Sequence, residues 1–490
     1  MLSSTPIWRK IDRIKNQKIS DSIPTIIHEN IEYSTNETKA ELFANKLLHT
    51  FNEFDTNGFN DDHKIKIDNF IEKKEYLGDY AKRSKDAKPF QLRELQKAIK
   101  KTNSKKSVDP DGISNFIIKC IPESGRAKLL KIFNIILRER KFPSEWKAST
   151  VTMLAKSTGA KNSVSGYRPI SLTACLARLL ERLILARLQR HLLKHNVILN
   201  TQSGFRAHRS TQDNLSFTSQ KISEAISEKN KTLAVMFDIA SAFDRVWHNG
   251  LLYKLASIKT PLYLLELIAD FLKNRTFCVK IGLFISAKYT ITCGVPQGAV
   301  MSPTLFSIYI NDVSGRYDNK KGQYSLLYAD DLIFLAKFRK NVLLVERNTN
   351  IYLKELENWS KLWRLKFSPH KCSYTVFSST KTGSNFEMNL QIYNTILLHD
   401  KTPKFLGYMY DSNLSGKSHI GKIKKTCISR LNIIRILTHK NWGLKYDTLV
   451  QIYKSIIRSI IEYSGLNYDS LRTNQKRELE TIQNNALRAV

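Results

Sequence analysis

Two stretches set acidic residues against apolar runs. In "TLAVMFDIASAFDRVWH" (Thr232–His248), Asp238 directly follows Leu233, Ala234, Val235, Met236 and Phe237. In "LLYADDLIFLA" (Leu326–Ala336), Asp330 and Asp331 stand side by side with apolar residues on both flanks. Burying one unpaired carboxylate is costly, and two together are worse unless a cation or proton holds them. An acid at the end of a buried strand is aimed beyond the sheet edge. Two apolar runs joined by Ala-Asp-Asp predict a hairpin whose tight turn presents both acids together. Three carboxylates in one place make a hard-oxygen site for Mg²⁺, an ion that favours carboxylates plus substrate phosphates. Two such ions about 4 Å apart activate an attacking hydroxyl and stabilise the leaving oxygen in a phosphoryl displacement. Taken alone, Asp-Asp is also common in solvated turns, and Asp238 equally suits the cap of a helix opening at "SAFDRVW".

The rest of the chain has to position these acids. Its 490 residues, 42% of them hydrophobic, suffice for a sizeable core and roughly three domains. Lys and Arg number 78 against 44 Asp and Glu, a net charge of +34. That excess attracts polyanions, of which nucleic acid is the commonest; a plain solvated surface or an acidic membrane are the alternatives. The basic residues are spread through the chain, as in "KKTNSKKS" (Lys100–Ser107), which predicts a basic folded surface rather than a disordered arm. The 6 cysteines form no CxxC pair, which argues against a disulfide framework and against a zinc module. The N-terminus has no signal-peptide core, and no apolar run approaches the ~18 residues of a membrane span, so the expected setting is intracellular.

"STNE" (Ser34–Glu37) has capping-box spacing and opens an amphipathic helix with Phe43, Leu47 and Phe51 on one face. "NEFDTNGFNDDHK" (Asn52–Lys64) reads as a loop or linker. "FQLRELQKAIKK" predicts a helix lining up Leu92, Leu95 and Ile99; the turn "SVDPDGIS" follows it, with Gly112 free to take a positive φ. "RAKLLKIFNIILRER" predicts another, with Leu129, Ile132, Phe133, Ile136 and Leu137 on one side. Then short β-rich pieces such as "STVTMLAK" alternate with helical ones such as "LARLLERLILARLQRHLL", the pattern of an α+β or α/β core. Beyond about residue 412 the chain reads as helical and basic.

"YADD" (Tyr328–Asp331) and "FDIASAFD" (Phe237–Asp244) resemble the two metal-binding motifs of reverse transcriptases. "GVPQGAVMSPTLFSIYIND" (Gly294–Asp312) resembles the family's template-and-nucleotide segment. "GYRPISLTACLARLLERLI" (Gly166–Ile184) and "TQSGFRAHRSTQDNL" (Thr201–Leu215) resemble its fingers, and "LKFSPHKCSYTVF" and "KFLGYMYD" the segments after the aspartates. The likeness is to enzymes of non-LTR, LINE-like retrotransposons, jockey-type elements among them. It runs in the family's order from roughly residue 90 to the end.

The resemblance implies an α+β right-hand polymerase fold with fingers, a palm built on a ferredoxin-like sheet, and a helical thumb. It implies an N-terminal helical extension or linker over 1–135, fingers and palm over 136–411, and a thumb over 412–490. The implied activity is RNA-directed DNA synthesis with Mg²⁺ (two ions, Mn²⁺ as a substitute), dNTPs, an RNA template and a DNA primer. Asp238, Asp330 and Asp331 become metal ligands, and Lys371 the donor of a proton to pyrophosphate. Lys156 and Arg168 become triphosphate cations, and Phe243 the aromatic gate against a ribose 2′-OH. Gln297 is given to nucleotide or template, and Gly298 to close approach of the nucleic-acid strand. Core packing is the alternative for Phe243, a surface charge for the cations and a plain turn for Gly298. Lys422, Lys424, Lys425, Arg430 and Arg435 are placed to track a duplex; 6–10 phosphate contacts would cost ~10³–10⁵ in affinity between 50 and 200 mM salt.

Ala299 and Met301 stand where the family more often has Ser and Leu. No endonuclease is recognisable ahead of the polymerase and no Cys/His knuckle after it. A shortened copy is therefore expected, needing a separate endonuclease for integration, and working in the nucleus and a cytoplasmic ribonucleoprotein. Two alternatives are an inactive remnant that only binds RNA, against which the intact aspartates count, and an RNA-templated RNA polymerase, which Phe243 disfavours.

Overall fold

The computed structural model describes residues 23–52, 58–80, 87–104, 109, 111–156, 159–314, 321–380, 386–439, 442–463, 465 and 471–490. Its first long helix, α1 (Asn36–Thr50), is capped by Thr35, whose side chain accepts from the Thr38 N–H at 3.2 Å. The predicted cap at Ser34 is thus displaced by one residue, because Thr35 is the last extended residue before the helix and its hydroxyl reaches an orphan N–H. Helix α2 (Asp61–Glu72) begins inside the segment read as a loop. Asn60 caps it by accepting from His63 N–H at 2.8 Å, and Asp61 and Asp62 occupy the first turn, where the helix dipole favours acids. The middle of that segment, and Ser107, Val108 and Pro110 of the predicted Asp-Pro-Asp-Gly turn, lie outside the described residues; Gly112 has the expected positive φ of 75°. Helices α3 (Leu92–Lys100) and α4 (Glu123–Glu139) form where the periodicity places them. In α4, however, Ile132 is 50% exposed while Leu129, Phe133, Ile136 and Leu137 are buried. A helix turns about 100° per residue, which puts Ile132 on the margin of that stripe.

Next come β1 (Ala148–Ala155), β2 (Tyr167–Leu172), α5 (Cys175–Lys194), α6 (Thr211–Ser227), β3 (Lys231–Phe237) and β4 (Arg275–Ile281). They are followed by α7 (Ser302–Tyr309), β5 (Gln323–Tyr328), β6 (Asp331–Phe338), α8 (Val342–Trp363), β7 (Ser373–Phe377) and β8 (Leu398–His399). Five strands make one sheet in the order β8-β7-β3-β6-β5, with β3 antiparallel to both β6 and β7. The sequence β3, α7, β5, β6, α8, β7 with this strand order is a ferredoxin-like β-α-β-β-α-β unit. Alternate residues explain the unbroken apolar runs. Leu233, Val235 and Phe237 of β3, with Leu332 and Phe334 of β6, enter the main core; Ala234, Met236, Ile333 and Leu335 enter a second core on the opposite face.

A second sheet joins β2, β1 and β4, β1 running antiparallel to β2 and parallel to β4. Helix α1 covers it, setting Phe43, Leu47 and Phe51 against Val151, Met153, Tyr167, Phe277 and Val279. The C-terminal helices α9 (Lys417–Leu437), α10 (Tyr446–Tyr453) and α11 (Thr473–Ala489) share a core of their own, built on Ile423, Cys427, Leu431, Ile434, Ile452, Leu479 and Ile482. Among the described residues no helix is long and apolar enough to cross a membrane. The chain is α+β, as a right-hand polymerase fold requires.

Candidate active site

Strand β3 ends at Phe237, and Asp238 emerges between its two neighbours. The Asp238 carbonyl accepts from Ser368 N–H at 2.8 Å, and its own N–H donates to Cys372 Sγ at 3.5 Å. These bonds tie the residue to the loop before β7. From that loop Lys371 Nζ reaches Asp238 Oδ2 at 3.3 Å. Both side chains are well exposed, so this ion pair orients more than it stabilises.

Asp330 and Asp331 lie at the predicted β5–β6 hairpin, where Tyr328 pairs with Asp331 across the two-residue loop Ala329-Asp330. Ala329 has φ 58°, a left-handed conformation that costs an L-residue roughly 1–2 kcal/mol and at the first loop position usually takes Gly. Gln202, fully buried, holds it there. Its Oε1 accepts from Ala329 N–H at 3.1 Å and Gly204 N–H at 2.7 Å, while Nε2 donates to the Ala329 carbonyl at 3.4 Å. A side chain on Gly204 would meet Ala329 N at 2.2 Å, so only glycine admits this approach. Asn214 Nδ2 and Ser203 N–H both donate to the Leu327 carbonyl at 2.9 Å, covering the edge of β5 behind the acids. No individual role for Gln202, Gly204 or Asn214 is evident from periodicity; the available signal is that all three fall in "TQSGFRAHRSTQDNL", the stretch that resembles the family's fingers.

The antiparallel register sets Leu332 opposite Phe237 and so brings the two acidic segments to the same end of the sheet. Their fields overlap. Asp331 is pushed up to about 6, by crowding away from water first and then by the charges of Asp330 and Asp238. Asp330 is also raised, by the same loss of water and by Asp238, against an opposing pull from its own backbone and Arg168. Among the described residues, no three acidic, histidine or cysteine side chains are drawn together tightly enough to grip an ion.

The opposing charge comes from the second sheet. Lys156 follows β1, one residue beyond the last rung of its ladder with β2 (Ala155 to Tyr167), and Arg168 lies on β2 opposite Leu154. Lys156 Nζ donates to the Ser165 carbonyl at 2.8 Å. Its ammonium is destabilised by partial burial, then by Lys371 and Arg168, and supported by Asp238, so these groups share one electrostatic neighbourhood.

Phe243 lies on a 3₁₀ turn (Ala242–Arg245), stacked on Phe306 with centroids 4.4 Å apart and edge-on to Phe205. It is half-buried, so one side of the ring packs while the rest stays accessible. Gln297 Nε2 donates to both oxygens of buried Asp244, at 2.8 and 2.9 Å, and its carbonyl accepts from Ser171 N–H at 2.7 Å. Desolvation lifts Asp244 to about 7, against the pull of Gln297, Arg245 and Arg168. Gly298 has φ 136°, and a Cβ there would sit 2.3 Å from the Ser171 carbonyl. The close approach that this glycine permits is to β2, the strand carrying Arg168. Glu181 of α5 anchors the same loop from below, accepting from Val300 and Met301 N–H at 2.7 and 3.0 Å.

Residues 158–410 match the reverse transcriptase (RNA-dependent DNA polymerase) family. A probable RNA-directed DNA polymerase from transposon BS of Drosophila melanogaster is 29% identical over 93% of this chain and 49% of its own length. The RNA-directed DNA polymerase from mobile element jockey of the same species gives the same figures, and that from Drosophila funebris is 30% identical over 82% of this chain and 44% of its own. The chain thus spans about half the length of the curated relatives it matches. Among solved structures, a telomerase from Candida tropicalis aligns with a TM-score of 0.39 and 13% identity over 70% of this chain and 58% of that one, too distant a likeness to carry weight. With the family match spanning more than half of the chain, and relatives from jockey and similar non-LTR elements along most of it, this chain belongs to the reverse transcriptase family.

Proposed function

We propose that this chain is an RNA-directed DNA polymerase that extends a DNA 3′-OH on an RNA template with dNTPs. The reading is carried by the shared field of Asp238, Asp330 and Asp331 at one sheet end, opposed by Lys156, Arg168 and Lys371. Carboxylate oxygens are hard donors, and Asp330 and Asp331, crowded away from water first and set beside one another and Asp238 second, gather charge that a divalent cation relieves. The residues therefore fit Mg²⁺: Asp238, Asp330 and Asp331 would hold two ions, with Mn²⁺ as a substitute. When bound, the ions supply a lower pKa for the primer hydroxyl and compensate charge on the transferred phosphate.

In the transfer, the primer 3′-oxygen bonds to the α-phosphorus of the dNTP, the bond from that phosphorus to the bridging oxygen breaks, and pyrophosphate leaves. Lys156 and Arg168 neutralise the triphosphate, Arg168 through a bidentate face. Lys371, tethered beside Asp238, gives a proton from Nζ to the leaving oxygen. Phe243, backed by Phe306, blocks the volume of a ribose 2′-OH. Gln297 and Gly298 act through the position of their loop, which Asp244 and Ser171 set. We assign fingers and palm to 136–411, thumb to 412–490 and an N-terminal region to the residues before, the first break falling in the last turn of α4. Partners are an RNA template, a DNA primer and a separate endonuclease that supplies the nick, in a nuclear and cytoplasmic ribonucleoprotein.

Extension of oligo(dT) on poly(rA) with Mg²⁺ tests the reading, using this chain beside Asp330→Ala. Synthesis by the first is expected, with a loss on the order of 10²–10³ or more in the second, the size of removing one preorganised charge. Failure of both, with RNA still bound and melting unchanged, would leave an RNA-binding remnant.

A further inference from the structure

Phe205 takes no part in the steps above, and its conformation is unfavourable. It lies in the loop between α5 and α6 with φ 58°, a left-handed conformation that L-residues avoid. Its side chain is 45% exposed, so burial does not offset the strain. The conformation is imposed from both sides. Gly204, buried against Ala329, fixes the residue before. Arg206 fixes the residue after, its Nη1 donating to the Leu199 carbonyl at 2.9 Å and the Gln202 carbonyl at 3.1 Å. Backbone strain of this kind persists only where the surroundings over-determine it, and it gathers at active sites and ligand clamps.

What the strain secures is a position. Gly204 abuts the turn that carries Asp330, while the next ring along, Phe205, meets Phe243 edge-on, with centroids 6.0 Å apart and planes at 87°. Phe306, fully buried, stacks on the same Phe243 at 22° from parallel. Two rings therefore hold the half-buried Phe243, and Phe205 is the exposed one of the two. A nucleotide whose phosphates are held at the acids and whose sugar meets Phe243 spans the two segments that Phe205 joins. We propose that Phe205 is a second specificity-determining residue, forming with Phe243 one wall against the sugar of the incoming nucleotide, so that rejection of a ribose 2′-OH is shared by both rings. The inference rests on the polymerase reading of Phe243 and the aspartates.

The test is kcat/KM for dTTP and for UTP in single-nucleotide extension of oligo(dT) on poly(rA) with Mg²⁺. The full chain runs beside Phe205→Gly, Phe243→Ala and the double variant, with melting followed for each. Glycine takes a positive φ without strain, so Phe205→Gly should melt as the parent does. Its preference for dTTP over UTP should nonetheless fall at least about fivefold, within the roughly two- to tenfold worth of one aromatic contact. Adding Phe205→Gly to Phe243→Ala should change the preference by less than about twofold, because the two rings act as one wall. A preference within about twofold of the parent in Phe205→Gly would overturn the proposal. So would full additivity in the double variant, which makes the rings independent. Lower melting with both kcat/KM values reduced equally would also overturn it, leaving Phe205 a packing role. A parent chain that extends with neither nucleotide rejects the polymerase reading itself, and this inference with it.

Discussion

Replacing Gln202 with methionine keeps the volume of the side chain and removes its hydrogen bonds. Two buried N–H groups, those of Ala329 and Gly204, then lose their acceptor. Each costs about 1–3 kcal/mol when left unpaired, so roughly 2–6 kcal/mol is set against the present turn. The left-handed Ala329 already stores roughly 1–2 kcal/mol, and the turn has every reason to relax. Relaxation moves Asp330 and Asp331, and a displacement near 1 Å at reacting groups costs about 10² in rate. Single-turnover primer extension at saturating dNTP should therefore fall about a hundredfold in Gln202→Met. Peptide-level hydrogen exchange should show faster exchange over residues 327–331, a readout independent of activity. Adding Ala329→Gly should restore much of the rate, because glycine takes positive φ without strain. A Gln202→Met protein that exchanges like the parent and extends within about threefold of its rate would refute the reasoning.

Phe243→Ala should raise ribonucleotide incorporation relative to dNTP, measured as the ratio of kcat/KM values, and lower stability by roughly 1–3 kcal/mol through the lost stack on Phe306; unchanged discrimination would return the residue to packing alone. Gly298→Ala puts a Cβ 2.3 Å from the Ser171 carbonyl at a φ hostile to L-residues, so a fall in melting temperature is expected together with a raised KM for dNTP as β2 shifts. Asp244 binds its proton more tightly folded than unfolded, with a folded value of about 7. Its contribution is therefore complete below the ordinary carboxylate range and is lost as pH rises to about 7, an order of 4 kcal/mol at 1.36 kcal/mol per pH unit. Urea denaturation of the parent against Asp244→Asn should show this difference opening between pH 4 and 7; parallel pH curves would contradict it.

The acids and the strands beneath them were legible because a two-faced burial leaves a long apolar run that only a functional charge interrupts. Hairpin, strand end and most helices follow from that and from periodicity. What escaped the sequence depends on partners far along the chain. Gln202 is one buried amide whose acceptor role exists only once β5 lies beside it, and Gln297 cannot be told from a ligand-facing residue until Asp244 is seen against it. The start of α2 was hidden for a local reason: an acidic first turn looks like a polar linker until its cap is known. Ile132 shows the limit of periodicity itself, which gives a stripe's direction but not its width.

The position of α1 has a consequence for synthesis on the ribosome. Asn52, just past this helix, donates to the carbonyl of Thr290, 238 residues further along, and Phe51 meets Phe277. At about 5–20 residues per second, the helix waits roughly 10–50 s for the sheet that covers its apolar face. During that interval Phe43, Leu47 and Phe51 have no native partner in β4. A nascent chain paused before residue 275 should therefore bind general hydrophobic chaperones through its first helix, and release them once β4 has emerged.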